Sequence, residues 1–182
     1  RGVEFNIEGN PFSKPNNDFL GFRELVEMTN PDQITLVPDD INQITSDHGW
    51  SSGPHDKDLN NIIKSLNDSS NSNISLFIDN IDGVEYASMM GANLIEIHTG
   101  KFSKCIKKNE LSIVSDTQKI IDRALEFNLL VNAGHDLNLN NLHYLVEMGN
   151  INEVSIGHAI IIDSLNYGFE ETILKYLTII RN

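Results

Sequence analysis

Two carboxylates and two histidines occupy positions in this chain where acid–base chemistry can be done. Glu8 closes an alternating run in which Val3, Phe5 and Ile7 take one face and Glu4, Asn6 and Glu8 the other. A carboxylate there is either a solvated strand end or a general base at the mouth of a barrel. Glu96 lies between Ile95 and Ile97 in the apolar run LIEIH. Charge inside such a strand is costly unless it is paired or faces a polar cavity. Glu96 is therefore either half of an internal ion pair, with His98 on the same face, or a charge poised against a cationic intermediate. His135 and His158 each follow a glycine that closes a short apolar run, in VNAGH and VSIGH. A lone histidine is usually a surface group, but two at equivalent strand-to-loop junctions point to proton transfer near neutral pH. Glycine lets backbone amides approach a ligand, and a following helix N-terminus favours anions.

The elements that must hold these residues alternate. Strands are expected near 3–8, 33–37, 74–79, 94–98, 129–133 and 153–156, each followed by a helical pattern. Such alternation implies a parallel sheet with right-handed crossovers. In a (β/α)₈ barrel the loops after the last two strands are the usual phosphate grip, and active sites sit at strand C-termini. That makes residues 131–160 the expected phosphate end of a site. Helices are expected around Leu59, Ile62, Ile63 and Leu66, from Asn80 or Asp82 to Met90, over 111–127, from Asn138 or Asn140 to Met148, over 159–165 and over 168–180. An earlier one carries Phe19, Leu20, Phe22, Leu25, Val26 and Met28, and the final one is expected to turn Phe169, Ile173, Leu174, Leu177 and Ile180 inward. The segment 39–58 reads as a long functional loop, and the lysine-rich stretch 101–109 as a basic loop.

Composition narrows the function. The 182 residues carry a formal net charge of −13 and no basic run, which argues against a nucleic-acid partner. No apolar run approaches the ~20 residues of a membrane span, so no membrane partner is expected. A lone Cys105 forbids an internal disulfide and fits a reducing cytoplasm. No His and carboxylate spacing suggests a metal, and no glycine-rich nucleotide loop appears. The chain opens on a strand without an initiator Met, so the front of a longer protein is expected to be missing.

Five motifs then occur in order: ITLVP with Thr45 downstream, SLFID, GANLIEIHTG, VNAGH and IGHAII. As a set, and over nearly the whole chain, they resemble the pyridoxine 5′-phosphate synthases, the deoxyxylulose-phosphate-dependent enzymes of vitamin B6 synthesis. The resemblance implies a single domain over 1–182 that is part of a (β/α)₈ TIM barrel, covering about strands three to eight, and a homo-oligomer at full length. It implies condensation of 3-amino-2-oxopropyl phosphate with 1-deoxy-D-xylulose 5-phosphate and closure of a pyridine ring, giving pyridoxine 5′-phosphate, phosphate and water, with no cofactor. By motif, Glu8 resembles a proton acceptor, Glu96 the carboxylate that stabilises the transition state and His135 the proton donor. Thr45 resembles a ligand of the sugar phosphate, and Gly157 and His158 the binder of the aminoketone phosphate. Asp136 stands where a glycine often binds that phosphate. The family's V-N-I-D-H-type and R-E-D-R-R-H-type segments, with a further histidine and phosphate-binding arginines, have no counterpart, so the chain alone is expected to be inactive. The alternatives are a non-catalytic phosphate-binding or interaction remnant of the fold, and another phosphate-gripping barrel enzyme.

Overall fold

The computed structural model describes residues 2–39, 43 and 46–181. Six strands, β1 (Asn6–Gly9), β2 (Gln33–Leu36), β3 (Asn73–Ile78), β4 (Leu94–His98), β5 (Leu130–Gly134) and β6 (Glu153–Ser155), form one sheet in the order of the sequence. All five pairings are parallel. The crossovers carry α1 (Phe22–Thr29), α2 (Asp56–Ser69), α3 (Asp82–Met90), α4 (Gly100–Lys107), α5 (Ser112–Glu126) and α6 (Leu142–Glu147). Two further helices, α7 (His158–Tyr167) and α8 (Phe169–Arg181), follow β6. The sheet curls into a half-barrel whose edges are β1 and β6. Glu4, ahead of β1, lies close enough to Glu153 of β6 to raise its pKa, after burial, so side chains from the two edges approach each other.

The strand alternation divides the sheet into two chemically different faces. Ile34 and Leu36, Ile74, Leu76 and Ile78, Ile95 and Ile97, and Val131 and Ala133 are all buried in the main hydrophobic core. The alternate positions hold Gln33 and Thr35, Ser75 and Phe77, Glu96 and His98, Asn132 and Gly134, and Glu153 and Ser155. Ser75, Glu96 and Asn132 are buried although polar. Asn132 donates through Nδ2 to Gln33 Oε1 (3.2 Å) and Glu153 Oε2 (3.0 Å), and Thr35 Oγ1 donates to Asn6 Oδ1 (3.2 Å). Polar side chains thus share the concave side with Phe77, although Ser75 Oγ, Glu96 Oε2 and Asn132 Oδ1 have no hydrogen-bond partner among the described residues.

Several elements differ from the sequence expectation. The stretch expected as a basic loop is the helix α4: Phe102 and Ile106, one turn apart, are buried, while Lys101, Lys104 and Lys107 stay at the surface. Phe19 and Leu20 precede α1 rather than joining it. The final helix buries Thr172 and Tyr176, whereas Phe169, Leu174 and Ile180 are exposed. The Tyr176 hydroxyl donates to Asp163 (2.7 Å), and this bond sets the face that α8 turns to α7. The helix expected from Asn138 or Asn140 starts at Leu142, because Asn138 and Asn141 close a turn first: the Asn138 amide donates to Asn141 Oδ1 (2.8 Å). Trp50 anchors the long loop, donating from its indole to the Leu36 carbonyl (2.8 Å). No helix among the described residues is long and apolar enough to cross a membrane.

Candidate active site

The strand C-termini surround an open cavity of about 540 Å³ lined by Glu8, Phe77, Glu96, His135, Asp136, Ser155, Ile156, Gly157 and His158. Six of the seven residues singled out from the sequence therefore face one mouth. The seventh, Thr45, lies outside the described residues. Glu8 reaches the mouth from β1, in register with Thr35, and Glu96 from β4, in register with Phe77 and Asn132. His135 and Asp136 follow β5 directly, and Gly157 and His158 lead into α7.

Glycine at 134 makes room for Glu96. A Cβ there would collide with Glu96 Oε1 and stand 2.9 Å from Ser155 Cβ. The Glu96 side chain is 2% exposed, and its Oε2 has no hydrogen-bond partner among the described residues. Burial, then the charge of Glu8, raises its pKa to about 8, although a hydrogen bond with Ser155 and the charge of Glu153 act in opposite directions, down and up. At neutral pH the resting Glu96 is thus largely a neutral acid. It is neither half of an ion pair nor a standing negative charge. Glu8 is also raised, by loss of hydration, then by Asp39, while His135 pulls it down. The two carboxyls thus sit in unequal surroundings, Glu96 the more deeply buried.

The His135–Asp136 corner is a strained turn held by hydrogen bonds. Both residues have left-handed backbones, with φ of 88° and 59°. For residues with a side chain this costs about 1–3 kcal/mol each and persists only where neighbours over-determine it. The single hydroxyl proton of Thr99 is shared between the carbonyls of Gly134 (2.7 Å from Oγ1) and His135 (2.5 Å). The Asp136 carbonyl accepts from Ser103 Oγ (3.0 Å), Asn138 Nδ2 (3.1 Å) and Asn141 Nδ2 (3.1 Å). The Asp136 carboxylate turns to the His135 ring, with Oδ2 3.5 Å from Nδ1.

Beside the mouth, a second cavity of about 610 Å³ also touches Asp136 and His158, and there Lys104 and Lys107 of α4 supply positive charge. The sequence pattern assigns these lysines to a loop, whereas they lie on α4. Their spacing on one helix turn is the signal that relates them to this wall. Among the described residues no group of three metal-binding side chains occurs.

A half-barrel of parallel strands, with acids, imidazoles and a helix N-terminus gathered at the strand C-termini, has the form of a barrel enzyme built for proton transfer on phosphorylated substrates. Residues 2–182 match the profile of the family described as pyridoxal phosphate biosynthesis protein PdxJ. The chain is 40% identical over 177 residues to the pyridoxine 5′-phosphate synthase of Cytophaga hutchinsonii, covering 96% of this chain and 71% of that protein. It is 41% identical over 182 residues to the synthase of that name from Agrobacterium fabrum, covering 96% and 69%. With that of Xanthomonas oryzae pv. oryzae it shares 39% over 186 residues, covering 98% and 71%. The chain belongs to the PdxJ family.

Proposed function

We propose that this protein is a pyridoxine 5′-phosphate synthase acting through the mouth described above. It joins 3-amino-2-oxopropyl phosphate to 1-deoxy-D-xylulose 5-phosphate and closes the ring to pyridoxine 5′-phosphate, releasing phosphate and water. The observation that carries this reading is the meeting of Glu8, Glu96, His135 and the Gly157–His158 turn on one cavity in a chain of this family. Ring closure needs several proton transfers, and these groups are of the kind that perform them.

Glu8 is the proton acceptor, poised by its raised pKa. His135 is the proton donor. Glu96 rests protonated; when a cationic intermediate forms beside it, it gives its proton to water in the open mouth and, as a carboxylate, stabilises the positive charge. The amides that begin α7 at Gly157 and His158 hold the aminoketone phosphate. Thr45 holds the sugar phosphate. Asp136 keeps its carboxylate on His135, and Lys104 and Lys107 balance it on the phosphate side.

The fold is the part of a (β/α)₈ barrel from strand three to strand eight, in a single domain over 1–182. The unpaired edges β1 and β6 support this, as does the exposed apolar face of α7 and α8, with Ile161, Leu165, Phe169 and Leu174. In its full-length form we place the protein in the cytoplasm as a homo-oligomer. Among the described residues β1 and β6 end the sheet with one side unpaired, and the 182 residues alone are expected to be inactive. The test is product formation from the two phosphates by the 182-residue chain and by a form extended with two N-terminal β/α units. Product from the extended form only is expected. No product from either form removes the assignment, and equal turnover by both removes the fragment reading.

A further inference from the structure

The corner after β5 brings an acid to the ring of His135. Asp136 Oδ2 stands 3.5 Å from His135 Nδ1, a contact between charges rather than a hydrogen bond. The backbone fixes this placement. Both residues are left-handed, a state that Asp tolerates better than most side chains. Thr99 holds the His135 carbonyl, and Ser103, Asn138 and Asn141 hold that of Asp136. The same Oδ2 lies 3.6 Å from where a Cβ on Gly100 would stand, beside the first turn of α4. A helix N-terminus favours the ionised carboxylate there.

The two ring nitrogens of His135 therefore have different neighbours. Nδ1 is enclosed and faces the carboxylate. His135 lines the mouth, so Nε2 is the nitrogen left to meet a substrate. The ring is also steadied from behind. His98, at the end of β4 and in register with Gly134, packs on it edge to face, with ring centres 4.6 Å apart and 74° between the planes. What one imidazole nitrogen faces decides what the other can do.

We propose that Asp136 is a positioning residue that acts through His135: its carboxylate keeps a proton on Nδ1, so that Nε2 is the atom that donates. This rests on the proposed synthase reaction, in which His135 is the proton donor. In each cycle the imidazolium gives its Nε2 proton to the departing group. The ring is left neutral, with its remaining proton on Nδ1 against the carboxylate. When product leaves, one proton from solvent reloads Nε2 through the open mouth. Without the carboxylate the neutral ring is free to carry its proton on Nε2, and neither nitrogen is then fixed as the donor.

The carboxylate also sets how the donor responds to pH. A negative charge beside an imidazole favours its cation, so removing that charge lets the ring lose its proton at lower pH. Other groups face the ring from each neighbouring element. Glu8 of β1 and Glu96 of β4 stand on the mouth with it, as does His158 at the start of α7. His98 of β4 is in ring contact, and Lys104 of α4 lines the adjoining cavity with Asp136. All of these remain when Asp136 alone is changed, so the difference between parent and variant reports its carboxylate.

The first arm of the test needs no turnover. In the 182-residue chain, nitrogen-15 NMR of the His135 ring at high pH should show the neutral form with its proton on Nδ1. Asp136→Gly keeps the left-handed backbone without strain and should move that form toward a proton on Nε2. It should also make the ring lose its cationic proton at lower pH than in the parent. A tautomer that Asp136→Gly leaves unchanged overturns the proposal. The second arm uses the extended protein and follows kcat against pH. Asp136→Asn, which keeps the shape but not the charge, and Asp136→Gly should both lose rate increasingly as the pH climbs, with the alkaline limb about one pH unit below the parent's. A limb that stays in place, or a loss that is equal at every pH, overturns the proposal, the second because a carboxylate that only shapes the turn would act that way. A parent protein that makes no product at all instead overturns the synthase reading, and the first arm still decides whether Asp136 sets the His135 tautomer.

Discussion

Replacing Glu96 with Gln should make the protein more stable, and by an amount that depends on pH. Glu96 is 2% exposed, and its pKa is raised from the ordinary 4.5 to about 8, first by burial and then by the charge of Glu8. The folded protein therefore binds this proton more tightly than the unfolded chain does. That contribution is whole below pH 4.5 and is lost as the pH climbs to about 8. A shift of about 3.5 units at about 1.4 kcal/mol per unit sets a ceiling near 5 kcal/mol. Gln keeps the shape of the side chain and cannot ionise, so the variant escapes the loss. Between pH 5.5 and 8.5 its stability relative to the parent should grow by about 3 kcal/mol. In a chain of this size that is roughly 6–12 °C in Tm. Urea unfolding of both proteins at the two pH values gives the quantity directly. Other groups titrate in both proteins and largely cancel in the difference. A Gln-minus-Glu difference that stays constant across this range would refute the neutral, desolvated Glu96 on which the site's electrostatics rest.

Other consequences are also measurable. Thr99→Val removes the hydroxyl whose proton is shared between the carbonyls of Gly134 and His135. It should cost about 1–3 kcal/mol in urea unfolding, and a loss under about 0.5 kcal/mol would mean that the His135 turn is held by other contacts. Gly134→Ala sets a methyl against Glu96 and Ser155 and should cost about 1–3 kcal/mol. In a Glu96→Ala background the same change should cost at least about 1 kcal/mol less; simple additivity would show that Glu96 is not what Gly134 makes room for.

The alternation of strand and helix was legible because each strand carries a short apolar run and each connection a helical period. ISLFID reads as a near-continuous apolar segment, yet its second face pairs the buried polar Ser75 with Phe77, which joins the core. Glu96 reveals the second, polar face from sequence, and Ser75 and Asn132 occupy the same alternate positions, but which of these groups bond to one another depends on pairing across the sheet, which local pattern does not encode. The site was visible in Glu8, Glu96 and the two Gly-His junctions because strand ends in a parallel sheet share one side. The place of His98 against His135 was not visible: adjacency depends on the β4–β5 register and on Gly100, not on spacing along the chain. The α4 lysines were misread because four cations in nine residues resemble a loop, and the Phe102–Ile106 pair that makes them helical is only one turn long. The face of α8 was set by the Tyr176–Asp163 hydrogen bond, which hydrophobic periodicity does not register.

The most direct measurement of the central claim is pyridoxine 5′-phosphate formation by the extended protein and by its Glu8→Gln and His135→Asn variants, assayed side by side with the two phosphate substrates. If these side chains move protons at the shared mouth, the parent makes product and each variant loses roughly 10²–10⁴ in kcat while remaining folded. Variants that turn over at the parent's rate would place the chemistry elsewhere and contradict the account.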